Sequence, residues 1–262
     1  MRAKLSVKAL SLALAMFFLF PTLVVAITSF GKGRIIQFPP KSLTLDWHRE
    51  IFSDERWREA FGNSFVVAVI SAALAMVVGT ALALGVARIR FLPTSAIVGM
   101  AMAPVIVPGV VLSVGFYFVG VRVGLTGGVL GLALAHSTIG APFVFVNVLS
   151  RLASMDRQIE EAARVCGASE SATLVLVTLR LAFPSVVIGG VLAFIGSWDE
   201  FMIASFFNSP TFHTVPVVVF GEVLSGADPS TSAASTVITL ISILMLGLAA
   251  GLPGLARRKA KS

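Results

Sequence analysis

Two places in this chain hold residues whose types and spacing could do chemistry. One is Trp198-Asp199-Glu200, a pair of carboxylates that interrupts an apolar stretch. The other is Glu161-Ala162-Ala163-Arg164-Val165-Cys166-Gly167, a polar island between long apolar segments. Carboxylates within an apolar run are costly and face a cavity or a partner. From Leu181 to Ala256 there is no Lys or Arg, so neither acid has a cation nearby in sequence. Two readings stand side by side. Asp199 caps a broken helix or pairs with another subunit, or the two acids line a polar path that attracts a cationic solute. In the second reading Trp198 or the sole tyrosine, Tyr117, adds a π face for the cation.

The polar island reads as a short helix with a defined start and stop. Ser154 or Asp156 can cap it. Ile159, Ala162, Ala163 and Cys166 recur at i, i+3, i+4 and i+7 and form one face. Arg157 with Glu161, and Glu160 with Arg164, are i,i+4 ion pairs elsewhere on the helix. Gly167 supplies the left-handed stop, and Ser169 can cap a second helix. Small alanines let a partner's backbone come close, which suits a knob gripped by another protein. The bland alternative is a solvated turn.

Several chemistries are missing. No G-x-x-x-x-G-K-[ST] run is present, and Gly31-Lys32-Gly33 is too short to cradle a phosphate. His48, His136 and His213 lie far apart and have no metal-ligand spacing, so ordinary hydrogen-bonded or exposed histidines are expected. Cys166 is the only cysteine, which excludes an intrachain disulfide, and it reads as a small helix residue. The expectation is a non-catalytic chain with no cofactor of its own.

The elements that must position these residues are membrane spans. The chain is 56% hydrophobic and only 13% charged, against about 25% charged in soluble domains. Spans need about 20 apolar residues. Six stretches qualify: 5–27, 64–87, 96–120, 130–149, 181–206 (broken by the acids) and 235–252. None alternates with the period of a barrel strand. Thirteen of the twenty Lys and Arg fall on one side if the N-terminus is inside: Arg2, Lys4, Lys8, Arg88, Arg90, Arg151, Arg157, Arg164, Arg180, Arg257, Arg258, Lys259 and Lys261. Six of the other seven share the long loop 31–62, and long loops weigh less in the positive-inside rule. Both termini are therefore expected inside. At about 1.5 Å per residue from Pro184, Asp199 falls in the outer half of the membrane. The first apolar run is longer than a signal sequence requires and reads as an uncleaved span. The sequence pI of 10.3 reflects basic residues flanking spans, not a nucleic-acid patch.

The loops carry further expectations. Trp47, His48, Phe52 and Trp57 suggest a short helix on the outer membrane surface. Pro104 and Pro108 loosen the third span, as a simple kink or a gating hinge. Asn208-Ser209-Pro210 and Thr214-Val215-Pro216 suggest a folded loop at the outer mouth, with Glu222 and Asp228 adding negative charge.

These residues resemble the type I permease subunits of bacterial ATP-binding-cassette (ABC) importers that use a solute-binding protein. Within them the chain resembles the spermidine/putrescine permease C group. Glu161, Ala162, Ala163 and Gly167 stand in the Glu-Ala-Ala-x-x-x-Gly signature of that family, followed by Ala168 and Ser169. Phe38-Pro39-Pro40 with Trp47, Asn63-Ser64, Asp199-Glu200-Phe201, Ser209-Pro210 and Val215-Pro216 are also similar. One departure concerns the Leu-Pro pair that closes the signature: Leu179 is kept but Arg180 stands in the proline's place. Val175 and Leu176 replace residues that are often basic there, so a straighter or shifted start to the fifth span is expected.

The resemblance implies an all-α polytopic membrane protein with six transmembrane helices, the type I ABC importer fold and cytoplasmic termini. Residues 1–58 would form the first span and a periplasmic loop. Residues 59–252 would form the transmembrane domain, with a cytoplasmic coupling loop at 150–180, and 253–262 a basic tail. The implied partners are a cassette ATPase dimer that binds ATP and Mg, a second homologous permease and a periplasmic solute-binding protein, all at the bacterial inner membrane. The implied solute is a polyamine, with iron, opine-like or amino-acid-like solutes as alternatives. The rival class is an ion-gradient-driven secondary carrier or channel, which would also show the acidic pair but has no use for the knob.

Overall fold

A computed structural model describes residues 2–88, 94–226 and 228–259. Arg90, Lys261 and the last three residues of the basic tail lie outside them. The described residues are almost wholly helical, as a chain must be where lipid offers backbone groups no partner. Five helices are long and apolar enough to cross a membrane, and a bent pair makes a sixth if counted as one span.

The helices are α1 (Arg2–Thr28), α2 (Asp46–Ser53), α3 (Glu55–Arg88), α4 (Thr94–Ile106), α5 (Gly109–Val123) and α6 (Val129–Ala153). After them come α7 (Arg157–Val165), α8 (Glu170–Thr173), a π-helical turn (Leu174–Thr178) and α9 (Leu179–Trp198). The chain closes with α10 (Met202–Phe207), α11 (Val215–Ser225) and α12 (Pro229–Lys259).

The expected third span is a correction. Residues 96–120 do not form one helix: α4 and α5 meet at 92° across Val107 and Pro108. Pro108 has no N–H to continue α4, and its extended backbone (ψ 132°) starts a new helix. Pro104 sits inside α4 without breaking it. At about 1.5 Å per residue neither half alone crosses a core about 30 Å thick.

Two compact units emerge. The first joins Met1–Phe61 to Thr214–Ile241. Its core gathers Ile51, Trp57, Ala60, Val215, Val218, Ala233 and Ala234. The expected short helix in the long loop is α2, but Trp57 is buried in this core instead of lying at a surface. Trp47 donates its indole N–H to the Gly31 carbonyl at 3.0 Å. The expected folded loop is present at residues 208–214, where Ser209 bridges to Phe212, but Val215 and Pro216 open α11, because Pro216 occupies the first turn of a helix, where a missing N–H costs nothing. Glu222 on α11 pairs with Arg56.

The second unit, Gly62–His213 with Ser242–Ser262, is built on α6. Leu132, His136, Val144, Phe145 and Val148 of α6 are fully or almost fully buried. Lipid tails are as apolar as leucine, so helix association here depends on close packing. Small residues provide it. A methyl group on Gly189 of α9 would fall 2.5 Å from the Val144 Cα, and one on Gly79 of α3 would fall 2.6 Å from the Ala141 carbonyl oxygen. These glycines let three helix backbones approach.

Candidate functional sites: the polar knob and the broken fifth span

The knob forms as its residues dictate. Asp156, not Ser154, is the cap: its side chain accepts from the Gln158 N–H at 2.9 Å. Gly167 adopts φ 89°. The Ala168 N–H donates to the Ala163 carbonyl at 3.0 Å and the Gly167 N–H to the Arg164 carbonyl at 2.9 Å. That double closure is the Schellman arrangement, which a side chain at Gly167 would strain. Ser169 caps α8 by accepting from the Ala172 N–H at 3.2 Å. Of the two expected ion pairs, Glu160–Arg164 closes at 3.9 Å. Arg157–Glu161 does not close, and both side chains point to solvent.

No residue of α7 is buried. On the expected packing face Ala163 is half-buried, while Ile159, Ala162 and Cys166 are exposed. Val165 is 88% exposed. A nine-residue helix is unstable alone; this one is held by its caps and by Thr178, whose hydroxyl donates to the Glu160 carboxylate. Beside it runs a groove of about 910 Å³ whose walls include Leu84, Arg88, Leu152, Glu160, Arg164 and Glu170. The helix is rigid in its backbone and open in its side chains.

The second place is the break between α9 and α10. Here the structure separates two acids that the sequence presents as a pair. Glu200 turns inward. Its carboxylate accepts from the Ile203 N–H at 2.9 Å and the Ala204 N–H at 3.0 Å, satisfying the first turn of α10. His136 of α6 places Nε2 3.1 Å from the same carboxylate and Nδ1 2.7 Å from the Ser197 hydroxyl. The ring thus lies between Ser197 at the end of α9 and Glu200 before the start of α10. His136 is 1% exposed.

Asp199 stands apart. It is exposed, and the Ser242 hydroxyl donates to it at 3.3 Å. Trp198 is buried and stacked on Phe194 with centroids 6.0 Å apart, so its ring is taken up by packing. Tyr117 is 40% exposed and rests against Phe206 of α10. Of the pathway candidates, Asp199 and Tyr117 keep open surface, whereas Glu200 and Trp198 are committed to the fold.

The expectation of an ordinary hydrogen-bonded histidine holds for His136, but its place beside Glu200 was not foreseen. The signal was available: a histidine within an apolar run is itself an ionisable group that needs a partner. His213 bonds to the Asn208 side chain at 2.6 Å, and burial beside Phe30 holds the His48 imidazole below its usual pKa.

Comparison with known proteins fits this geometry. Residues 75–254 match the family described as binding-protein-dependent transport system inner membrane component, and the chain belongs to that family. It is 31% identical to the spermidine/putrescine transport system permease protein PotC of Haemophilus influenzae, over 87% of this chain and 88% of that one. It is 33% identical to the putrescine transport system permease protein PotI of Escherichia coli, over 87% and 83%. It is 30% identical to the sulfoquinovosyl glycerol transport system permease protein SmoH of Agrobacterium fabrum, over 76% and 72%.

The fold is shared with a chain of a bacterial ABC transporter that imports alginate (TM-score 0.66, 16% identity, 98% and 96% covered). It is shared again with the alginate transporter solved with its pentasaccharide-bound periplasmic protein (TM-score 0.69, 17% identity, 100% and 97% covered). Family membership displaces the rival reading of a stand-alone carrier. The chain is a permease subunit of an ABC-type importer.

Proposed function

We propose that this permease forms half of the transmembrane pathway for a polyamine such as spermidine or putrescine in the bacterial inner membrane. The names of the relatives PotC and PotI support the solute, and so does an exposed carboxylate at Asp199 that has no basic side chain within ion-pair distance among the described residues. A polyamine is a chain of ammonium groups, and an open carboxylate in a low-dielectric path attracts one more strongly than water does.

The knob is the handle for a cassette ATPase. The observation that carries this is α7 itself, a helix capped at both ends yet buried nowhere. A second permease, two cassettes that hold ATP and Mg, and a periplasmic binding protein complete the complex. In this reading the termini and the knob face the cytoplasm, as the distribution of Lys and Arg favours. Residues 1–58 are the first span and outer segment, 59–252 the transmembrane domain and 253–262 a basic tail; the family match over 75–254 supports the middle part. The chain itself catalyses nothing. Closure of the cassettes shifts a two-state bundle from outward to inward access.

Asp199→Asn tests the pathway. Labelled spermidine uptake by proteoliposomes holding the complete complex should fall about tenfold, the worth of one lost contact to a charged group. The amount of assembled complex should not change. Undiminished uptake of both spermidine and putrescine would remove Asp199 from the path.

A further inference from the structure

Between the knob and the fifth span the chain does something that no composition rule demands. From Leu174 to Thr178 the helix widens into a π turn, with the Leu179 N–H donating to the Leu174 carbonyl five residues back. One extra residue in a turn offsets everything beyond it and weakens the local ladder, so π turns mark functional places in otherwise regular helices. This turn lies immediately before α9.

Thr178 closes that turn and is 2% exposed. Its hydroxyl donates to the Glu160 carboxylate, across 18 residues of sequence. The same hydroxyl lies 3.4 Å from the Thr173 carbonyl, which gives it a second acceptor within the helix. Glu160 is one turn into α7 and also faces Arg164. By the chain alone, a push on α7 would pass through the left-handed glycine at Gly167 and the one-turn helix α8, which are poor levers. The Thr178–Glu160 bond bypasses both. It joins the docking helix directly to the residue that immediately precedes α9, the helix whose other end carries Asp199. Arg151 Nε donates to the Leu181 carbonyl at 3.1 Å and fixes α6 to the same end of α9.

We propose that Thr178 is the positioning residue through which α7 moves α9, with the π turn as the compliant point that lets the two move as lever and shaft. This rests on the reading of α7 as the cassette-docking helix.

The test uses the complete complex and needs no assumption about the solute. In a Cys166→Ser background, Asp199→Cys reports access at the far end of α9. Its alkylation rate by a water-soluble maleimide is compared without nucleotide and after trapping with ATP and vanadate. The ratio of the two rates should differ from unity with Thr178 present. It should collapse to unity in Thr178→Val, which keeps the shape but loses the donor, and return in Thr178→Ser. Glu160→Ala should reproduce the loss. A ratio unchanged by both Thr178→Val and Glu160→Ala overturns the inference, and so does a failure of Thr178→Ser to restore it.

Native Cys166 separates the two claims. It is exposed beside the knob, so a docked cassette should shield it from maleimide in the parent and in Thr178→Val alike. Equal labelling of Cys166 with and without the cassette would bring down the docking reading and this inference with it.

Discussion

The knob and the broken fifth span are both polar interruptions of an apolar chain, yet they are built in opposite ways. Around Glu200 the polar groups face inward: the carboxylate caps the free end of α10, and the buried His136 ring lies between it and the Ser197 hydroxyl. Around α7 the backbone is satisfied by caps at each end, while the side chains face out and none is buried. A polar cluster that closes on itself is a fixed part of the fold. A helix that is capped but uncovered is a surface prepared for something else. The difference also runs through Asp199-Glu200, where one acid is spent on structure and its neighbour is left open.

That contrast can be broken at either end. The largest effect is expected from Glu200→Ala. It strands the buried His136 ring and two N–H groups of α10, at a cost of about 3 kcal/mol. Assembled complex in the membrane should fall sharply, read as the amount recovered in a monodisperse detergent peak. Recovery at the parent level would mean that the inward cluster holds nothing together.

A smaller effect is expected at the knob, whose helix buries no residue. Asp156→Ala removes the cap of α7 at about 1 kcal/mol. Recovery of the chain should be unchanged while affinity for the cassette drops about fivefold. A loss of recovery instead would show that α7 is part of the core, against its exposure.

Much of this was legible because its causes are local. Caps and stops act over three or four residues, so Asp156, Gly167 and Ser169 could be read from their spacing with the helix they bound. Spans could be read from apolar length. What stayed hidden depends on distance or geometry. His136 and Ser197 are 61 positions apart, and nothing in either neighbourhood points to the other. Pro108 announced a kink or hinge, but a missing N–H does not specify the right angle between α4 and α5. Pro216 was read as a breaker because proline marks both loops and first turns, and only the apolar run behind it shows which. The π turn left no trace in composition.

The most direct measurement of the central claim is capture of the cassette ATPase by Gly167→Leu. The left-handed backbone at Gly167 (φ 89°) costs a side chain about 1–2 kcal/mol, so the stop must shift and the presented face of α7 with it. The variant should insert and be recovered like the parent, yet release the cassette on solubilisation and hydrolyse no ATP in response to a loaded binding protein. Retention of a fully responsive cassette by Gly167→Leu would contradict the claim that α7 is the handle through which ATP moves this permease.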